Sequence, residues 1–208
     1  MYKKFFKRFF DIILSLMAII ILSPLYILIS ILVLIFMGWP ILFKQPRPGK
    51  DEKIFNMYKF RTMTNKKDEN GDLLPDEQRL PKFGRFLRKT SLDELPELFL
   101  ILIGKMSIVG PRPLVVSYLS YYTKEEHHRH DVRPGLTGWA QVNGRNNLNW
   151  EERFKLDLEY IKKISFAFDI KIIFLTVAKV LKASDITVRG TGNAIDFSEY
   201  RKKQQKMS

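Results

Sequence analysis

The sequence has no cysteine and only three histidines. The first absence excludes disulfides and thiolate metal sites, and is compatible with a reducing compartment. His127, His128 and His130 lie together in a charged stretch with no second ligand group at a familiar spacing, so they read as solvated or structural. There is no internal repeat and no glycine-rich nucleotide loop of the usual kinds. Acidic residues are few: 22 Asp and Glu against 35 Lys and Arg leave a net charge of +13. Such a surplus needs anionic partners, whether nucleic acid, lipid headgroups or nucleotide phosphates. The longest absence is of charge altogether, from residue 12 to residue 43. That run exceeds the ~20 apolar residues needed to cross a bilayer, and it is too long, without a small-residue cleavage site, for a signal peptide.

What is present can build a core: 46% of the residues are hydrophobic, with sixteen Phe and three Trp. A chain of 208 residues suffices for one compact domain plus a membrane element. Ser23-Pro24 interrupts the uncharged run, and proline there removes a helical hydrogen bond and kinks the axis. Lys3, Lys4, Lys7 and Arg8 precede the run while Lys44, Arg47, Lys50 and Lys53 follow it, so no cationic asymmetry orients a spanning helix. As helix, residues 12–22 cover about 16 Å, half of a ~30 Å hydrocarbon core. A re-entrant hairpin with both ends on the cytoplasmic side fits both facts, and a kinked spanning helix is the alternative. Replacing Pro24 by alanine is expected to let the helix straighten and span, moving residue 1 away from the cytoplasmic side.

Beyond the run, residues 41–45 and 53–62 read as strands across a turn at Pro46-Arg47-Pro48-Gly49. Alternation puts Lys59 and Arg61 on one face, and for Arg61 a solvated role is preferred. Residues 65–78 should form an exposed loop. Residues 81–89 form a basic amphipathic segment suited to a membrane surface; its Arg88 is near enough to reach a phosphate bound at residue 93, or else faces lipid. Ser91-Leu92-Asp93-Glu94-Leu95-Pro96 follows, with Pro96 suited to a first helical position and Gly104 to a stop. Adjacent carboxylates in such a turn point in different directions, which suits Asp93 as a nucleophile and Glu94 as a metal ligand. The plain alternative is a capping box between Ser91 and Glu94, weakened by Pro96.

In Gly110-Pro111-Arg112-Pro113 two prolines fix the backbone around one guanidinium, which suits bidentate phosphate binding or is a rigid turn with an incidental arginine. Residues 133–138 read as a tight loop and 139–142 as a short strand. Arg133, Gln141 and Arg145 are candidates for reading a nucleotide base or phosphate, with turn chemistry as the competing account. Residues 150–164 and 166–181 read as helices, the second more apolar.

Together these motifs, with His130-Asp131-Val132-Arg133-Pro134-Gly135 and Gln141-Val142-Asn143-Gly144-Arg145, resemble the small monotopic phosphoglycosyl transferases of bacteria, the bacterial sugar transferase family. The resemblance covers nearly the whole chain. It implies an α+β, mainly α, architecture: a re-entrant membrane hairpin over 1–40, a catalytic domain over 41–195 and a basic, mobile tail over 196–208. It further implies Mg²⁺ held by Glu94, attack by Asp93, phosphate binding by Lys59, Arg88 and Arg112, and the helix break at Ser23 and Pro24. The implied substrates are a UDP-sugar and undecaprenyl phosphate at the cytoplasmic face of the inner membrane, with downstream glycosyltransferases as further partners. The implied donor is UDP-N,N'-diacetylbacillosamine for N-linked protein glycosylation, with UDP-GlcNAc, UDP-GalNAc or another UDP-hexose for O-antigen or capsule as the alternative. The competing classes are a non-catalytic scaffold and a membrane-tethered nucleic-acid binder; the resemblance implies no nucleic acid.

Overall fold

The computed structural model describes residues 1–144, 148–182 and 196–207. The architecture is mostly helical with two small two-stranded sheets. After a short π-helical turn at Tyr2–Phe6, α1 (Lys7–Ile21) and α2 (Ser23–Met37) meet at a 63° bend. Pro24 cannot donate to the Ile20 carbonyl, and the Ser23 hydroxyl donates to it instead at 2.8 Å. The Ser-Pro pair thus makes the bend without leaving an orphaned carbonyl. Among the described residues, no single helix is long and apolar enough to cross a membrane; the bent pair passes that test only when taken together.

The two halves pack differently. The residues α1 buries are Lys7, Asp11 and Ser15, four apart on one polar stripe, while those of α2 are Ile29, Val33 and Met37. Much of their remaining surface is exposed and apolar, including Ile20, Ile21, Ile27, Leu28, Ile31, Ile35 and Phe36. For α1 this inverts the pattern of a helix docked in water.

β1 (Leu42–Pro48) and β2 (Ile54–Phe60) form an antiparallel ribbon, with Leu42 opposite Phe60 and Pro48 opposite Ile54. The turn expected at 46–49 therefore moves on to 49–53. Prolines are tolerated in edge strands, and a two-stranded ribbon has only edges. Arg61, expected on a solvated face, is buried and donates to the Met37 and Trp39 carbonyls at the end of α2. Carbonyls at a helix C-terminus lack intrahelical donors, and a cation suits them. The 65–78 stretch is exposed except at half-buried Leu74, and its last three residues open α3 (Asp76–Arg79). α4 (Lys82–Thr90) then crosses the end of β2 so closely that a Cβ on Gly84 would lie 1.9 Å from the Thr62 carbonyl oxygen.

α5 (Glu97–Leu102) is followed by Gly104 at φ 82°. β3 (Ser107–Val109) pairs in parallel with β4 (Gly135–Thr137). Between them lies α6 (Lys124–His127), entered through a capping box at Thr123. Residues 139–142, expected as a strand, belong to α7 (Trp139–Asn143): their backbone leaves β4 at Gly138 and Val142 N–H bonds back to the Gly138 carbonyl. α8 (Trp150–Lys163) and α9 (Phe166–Lys182) follow. The C-terminal stretch expected to be mobile forms α10 (Phe197–Met207), because Phe197 is wholly buried among Leu114, Tyr122 and Phe154.

Candidate active site

The site is built where α4 ends. Ser91 adopts a left-handed conformation (φ 57°) as the C-cap of α4, and the chain reverses into a 3₁₀ turn, Leu92–Glu94, before α5. With that backbone Ser91 makes no side-chain cap, so the capping box does not form. The turn presents Asp93 and Glu94 to a cavity of about 940 Å³, also lined by Lys59, Arg88, Arg112, Arg129 and Gln141.

Glu94 is the fixed carboxylate. Its Oε1 accepts from Lys59 Nζ at 2.5 Å and from Arg112 Nη2 at 2.6 Å. Burial opposes its ionisation, but Arg112 and Lys59 outweigh burial and hold Glu94 well below the usual carboxylate range. Asp93 is the opposite case. It is 9% exposed, and among the described residues it makes no hydrogen bond or ion pair. Burial and the neighbouring Glu94 charge push its carboxyl up to about 6, against the pull of Lys59, Arg112 and Arg88. At neutral pH Asp93 is thus ionised mainly, buried and unengaged.

Arg112 comes from the loop after β3, and the close approach of that loop to β4 requires small residues: a Cβ on Gly135 would sit 2.1 Å from Gly110 N, and one on Gly138 would sit 2.2 Å from the Gly110 carbonyl oxygen. Arg129 supports it from beneath, donating to the Arg112 carbonyl at 2.8 Å and to Asp157 at 2.8 Å. Arg88 donates from Nε to Thr62 Oγ1 at 2.9 Å and faces the cavity rather than lipid. Gln141 donates to the Leu136 carbonyl at 3.1 Å, while its Oε1 is buried without a partner among the described residues. Arg133 is placed elsewhere: it donates to the Gly104 carbonyl at 2.8 Å and does not line the cavity. Arg145 lies outside the described residues.

Sequence reading missed Glu97 and Arg129. Glu97, three residues after Glu94, is 2% exposed, and burial with the Glu94 charge pushes it up to about 7. Its Oε1 lies 3.2 Å from Lys59 Nζ but off hydrogen-bond geometry, and is otherwise an orphaned buried acceptor. The i, i+3 spacing was the available signal. Arg129 gave none, because its partner Asp157 is distant in sequence. Of the three histidines, His128 is exposed beside Asp131, while His127 and the buried His130 both approach Glu52.

A cation-lined cavity that holds one carboxylate fixed and leaves another unengaged has the make-up of a phosphoryl-transfer enzyme. Residues 2–183 match the family described as bacterial sugar transferase, and the chain belongs to that family. It is a phosphoglycosyl transferase. It is 49% identical over 180 residues to a protein of Bacillus subtilis named uncharacterized sugar transferase EpsL, covering 86% of this chain and 89% of that protein. The UDP-glucose:undecaprenyl-phosphate glucose-1-phosphate transferase of Escherichia coli is 43% identical over 185 residues, 83% of this chain and 39% of its own length. The undecaprenyl-phosphate galactose phosphotransferase of Salmonella typhimurium is 39% identical over 196 residues, 86% of this chain and 41% of its own length. The chain thus spans about two fifths of these longer relatives.

Proposed function

We propose that the chain transfers a sugar-1-phosphate from a UDP-sugar to undecaprenyl phosphate through a covalent intermediate on Asp93. The observation that carries this reading is the Asp93 carboxylate, buried yet unengaged, at the wall of a cavity lined by Lys59, Arg88 and Arg112. A carboxylate ionised at neutral pH needs no separate base to act as nucleophile. Asp93 attacks the β-phosphorus, the bond to the α-phosphate oxygen breaks, UMP leaves and a phosphosugar remains on the carboxylate. The terminal oxygen of the lipid phosphate then attacks the same phosphorus and releases Asp93. Arg112, Lys59 and Arg88 offset the repulsion between the entering anion and the phosphates.

The donor set fits a hard divalent ion: Glu94 Oε2 takes no part in the Lys59 and Arg112 pairs, and Glu97 Oε1 is the orphaned acceptor nearby. Glu94 and the substrate diphosphate would hold Mg²⁺, which would supply further charge neutralisation at the diphosphate.

The bent pair α1–α2 is read as a re-entrant hairpin in the inner membrane with the catalytic domain on the cytoplasmic face. What supports this is the polar stripe of α1 turned inward and the apolar surface turned outward. For the donor, the names of the relatives favour a UDP-hexose over UDP-N,N'-diacetylbacillosamine. The test is UMP release with undecaprenyl phosphate from UDP-glucose, UDP-galactose, UDP-GlcNAc, UDP-GalNAc and UDP-N,N'-diacetylbacillosamine, with and without Mg²⁺. Release that requires the metal and is lost in Asp93→Asn is expected, with a phosphosugar on the Asp93 peptide when the donor is supplied alone. Undiminished turnover by Asp93→Asn would sink the nucleophile assignment.

A further inference from the structure

We infer that Glu52, His127 and His130 form a second metal site, for a borderline divalent ion of the zinc class. The inference does not rest on the reaction proposed above. None of the three residues lines the active-site cavity. The β1–β2 turn carries Glu52, and the end of α6 with the 3₁₀ turn after it carries the two histidines, 75 or more positions away in sequence.

The ligand-capable atoms of the three side chains lie within 4.8 Å of one another. His127 Nδ1 contacts Glu52 Oε1, and His130 Nδ1 lies 3.4 Å from the same oxygen. Ligands at about 2.1 Å in a tetrahedral zinc site are ~3.4 Å apart, the separation of His130 Nδ1 from Glu52 Oε1; that nitrogen also lies 3.2 Å from the His127 carbonyl oxygen, a contact the ion would replace. The remaining adjustment falls on Glu52 and His127, whose side chains are 37% and 39% exposed, while the His130 side chain is 6% exposed. The Tyr122 ring packs against both imidazoles, at 5.6 Å and 5.4 Å between centroids.

Two features mark the cluster as built. Asp51 and Glu52 are consecutive non-glycine residues with positive φ, 53° and 58°, and this unfavourable backbone is what turns Glu52 toward the histidines. His130 Nε2 is also buried with no hydrogen-bond partner among the described residues, so the ring is held in place without its polar atoms being saturated. Two imidazoles and one carboxylate select zinc-class ions over Mg²⁺, which prefers oxygen ligands alone. Three protein ligands leave a fourth position for water or a solute.

A bound ion would clamp the tip of the β1–β2 ribbon to the turn that holds Arg129. That ribbon carries Lys59, and Arg129 donates to the Arg112 carbonyl. The site therefore lies where an ion would stiffen both cationic arms around Glu94.

The test uses the full chain in detergent, purified without a polyhistidine tag, stripped with chelator and titrated with Co²⁺ and then Zn²⁺. One equivalent of Co²⁺ should give visible absorption bands of a nitrogen- and oxygen-ligated ion, displaced by one equivalent of Zn²⁺. Glu52→Gln and His127→Gln replace half-exposed residues and should keep the Tm of the metal-free chain. Each should weaken binding by more than the ~10–100-fold typical of changes outside the ligand sphere. Glu94→Gln should bind Co²⁺ as the wild type does, which separates this site from any ion at the dyad. Absence of the bands in wild type, wild-type affinity retained in both Glu52→Gln and His127→Gln, or loss only in Glu94→Gln would overturn the inference.

Discussion

Two buried charge clusters sit at opposite ends of α5, and they differ in how completely their carboxylates are engaged. Asp169 accepts from Lys7 at 2.6 Å, Tyr2 at 2.6 Å and Tyr160 at 2.7 Å. Near it Asp11 accepts from Ser107 at 3.1 Å and from the Ile108 N–H at 2.9 Å. Arg8 donates to the Ile101 and Leu102 carbonyls at the end of α5. In this cluster each acid has its donors, and the result is a joint between the bent helices and the rest of the chain. At the dyad, Asp93, Glu94 and Glu97 face two paired cations, Lys59 and Arg112, and among the described residues Asp93 has no hydrogen-bond or ion-pair partner. A buried carboxylate left unengaged costs stability. The difference teaches that satisfied burial holds the chain together, whereas unsatisfied burial reserves a group for a ligand.

The largest expected effect comes from exchanging the roles of these acids by mutation. Asp93→Asn should lower turnover by roughly 10³-fold or more, as loss of a nucleophile does. Its effect on stability has the opposite sign. The Asp93 carboxyl is raised to about 6 in the folded chain, so its ionisation opposes folding. Below the unfolded value of about 4 the variant should match wild type; its Tm advantage should grow between there and pH 6 and then level off. A variant less stable than wild type at pH 7.5 would show that Asp93 is structurally engaged.

Asp169→Asn should do the reverse. Breaking a buried pair strands the Lys7 charge, costs roughly 3–5 kcal/mol and lowers Tm by ~6–20 °C. Turnover per folded molecule, assayed well below that Tm, should change little. A large loss of kcat without a change in Tm would break the comparison.

A smaller effect is expected from pH. In the free enzyme Asp93 must lose its proton to attack, so kcat/KM should fall about tenfold per unit as pH drops below about 6. A flat profile from pH 7 to pH 5 would mean that Asp93 does not titrate there.

The smallest effect is expected from Pro24→Ala. Proline costs ~3 kcal/mol in a helix interior, which by itself favours straightening. The Lys7–Asp169 pair resists with a comparable ~3–5 kcal/mol before Arg8 and Asp11 are counted. Met1 should therefore remain accessible from the catalytic-domain side in Pro24→Ala, and change sides only when Asp169→Asn is added. Accessibility labelling at residue 1 in vesicles reads both variants, and a change of sides in Pro24→Ala alone would show that the joint is weaker than its contacts suggest.

Much of the site was legible in local sequence. The adjacency of Asp93 and Glu94, the helix start near Pro96, the prolines around Arg112 and the break at Ser23-Pro24 follow from backbone chemistry that acts over a few residues. Strand alternation put Lys59 only on a common face with Arg61; its contact with Glu94 is tertiary. Errors fell where a distant partner decided. Arg61 looked solvated because its acceptors lie over twenty positions earlier, at the end of α2. Residues 139–142 looked like a strand because a short apolar run has no period that separates helix from strand. The final stretch looked mobile because its basic residues hid the single buried anchor, Phe197.

By itself the sequence determined the uncharged run, its break, the surplus of cations and the order of the motifs, since each depends on residues close together in the chain. Tertiary structure alone decided which carboxylate is fixed and which is left unengaged. Lys59 and Arg112 both reach Glu94, so burial raises Asp93 while ion pairing depresses its neighbour. It also decided that Glu52 meets His127 and His130. Charge and burial act through space, and only the folded chain sets those distances.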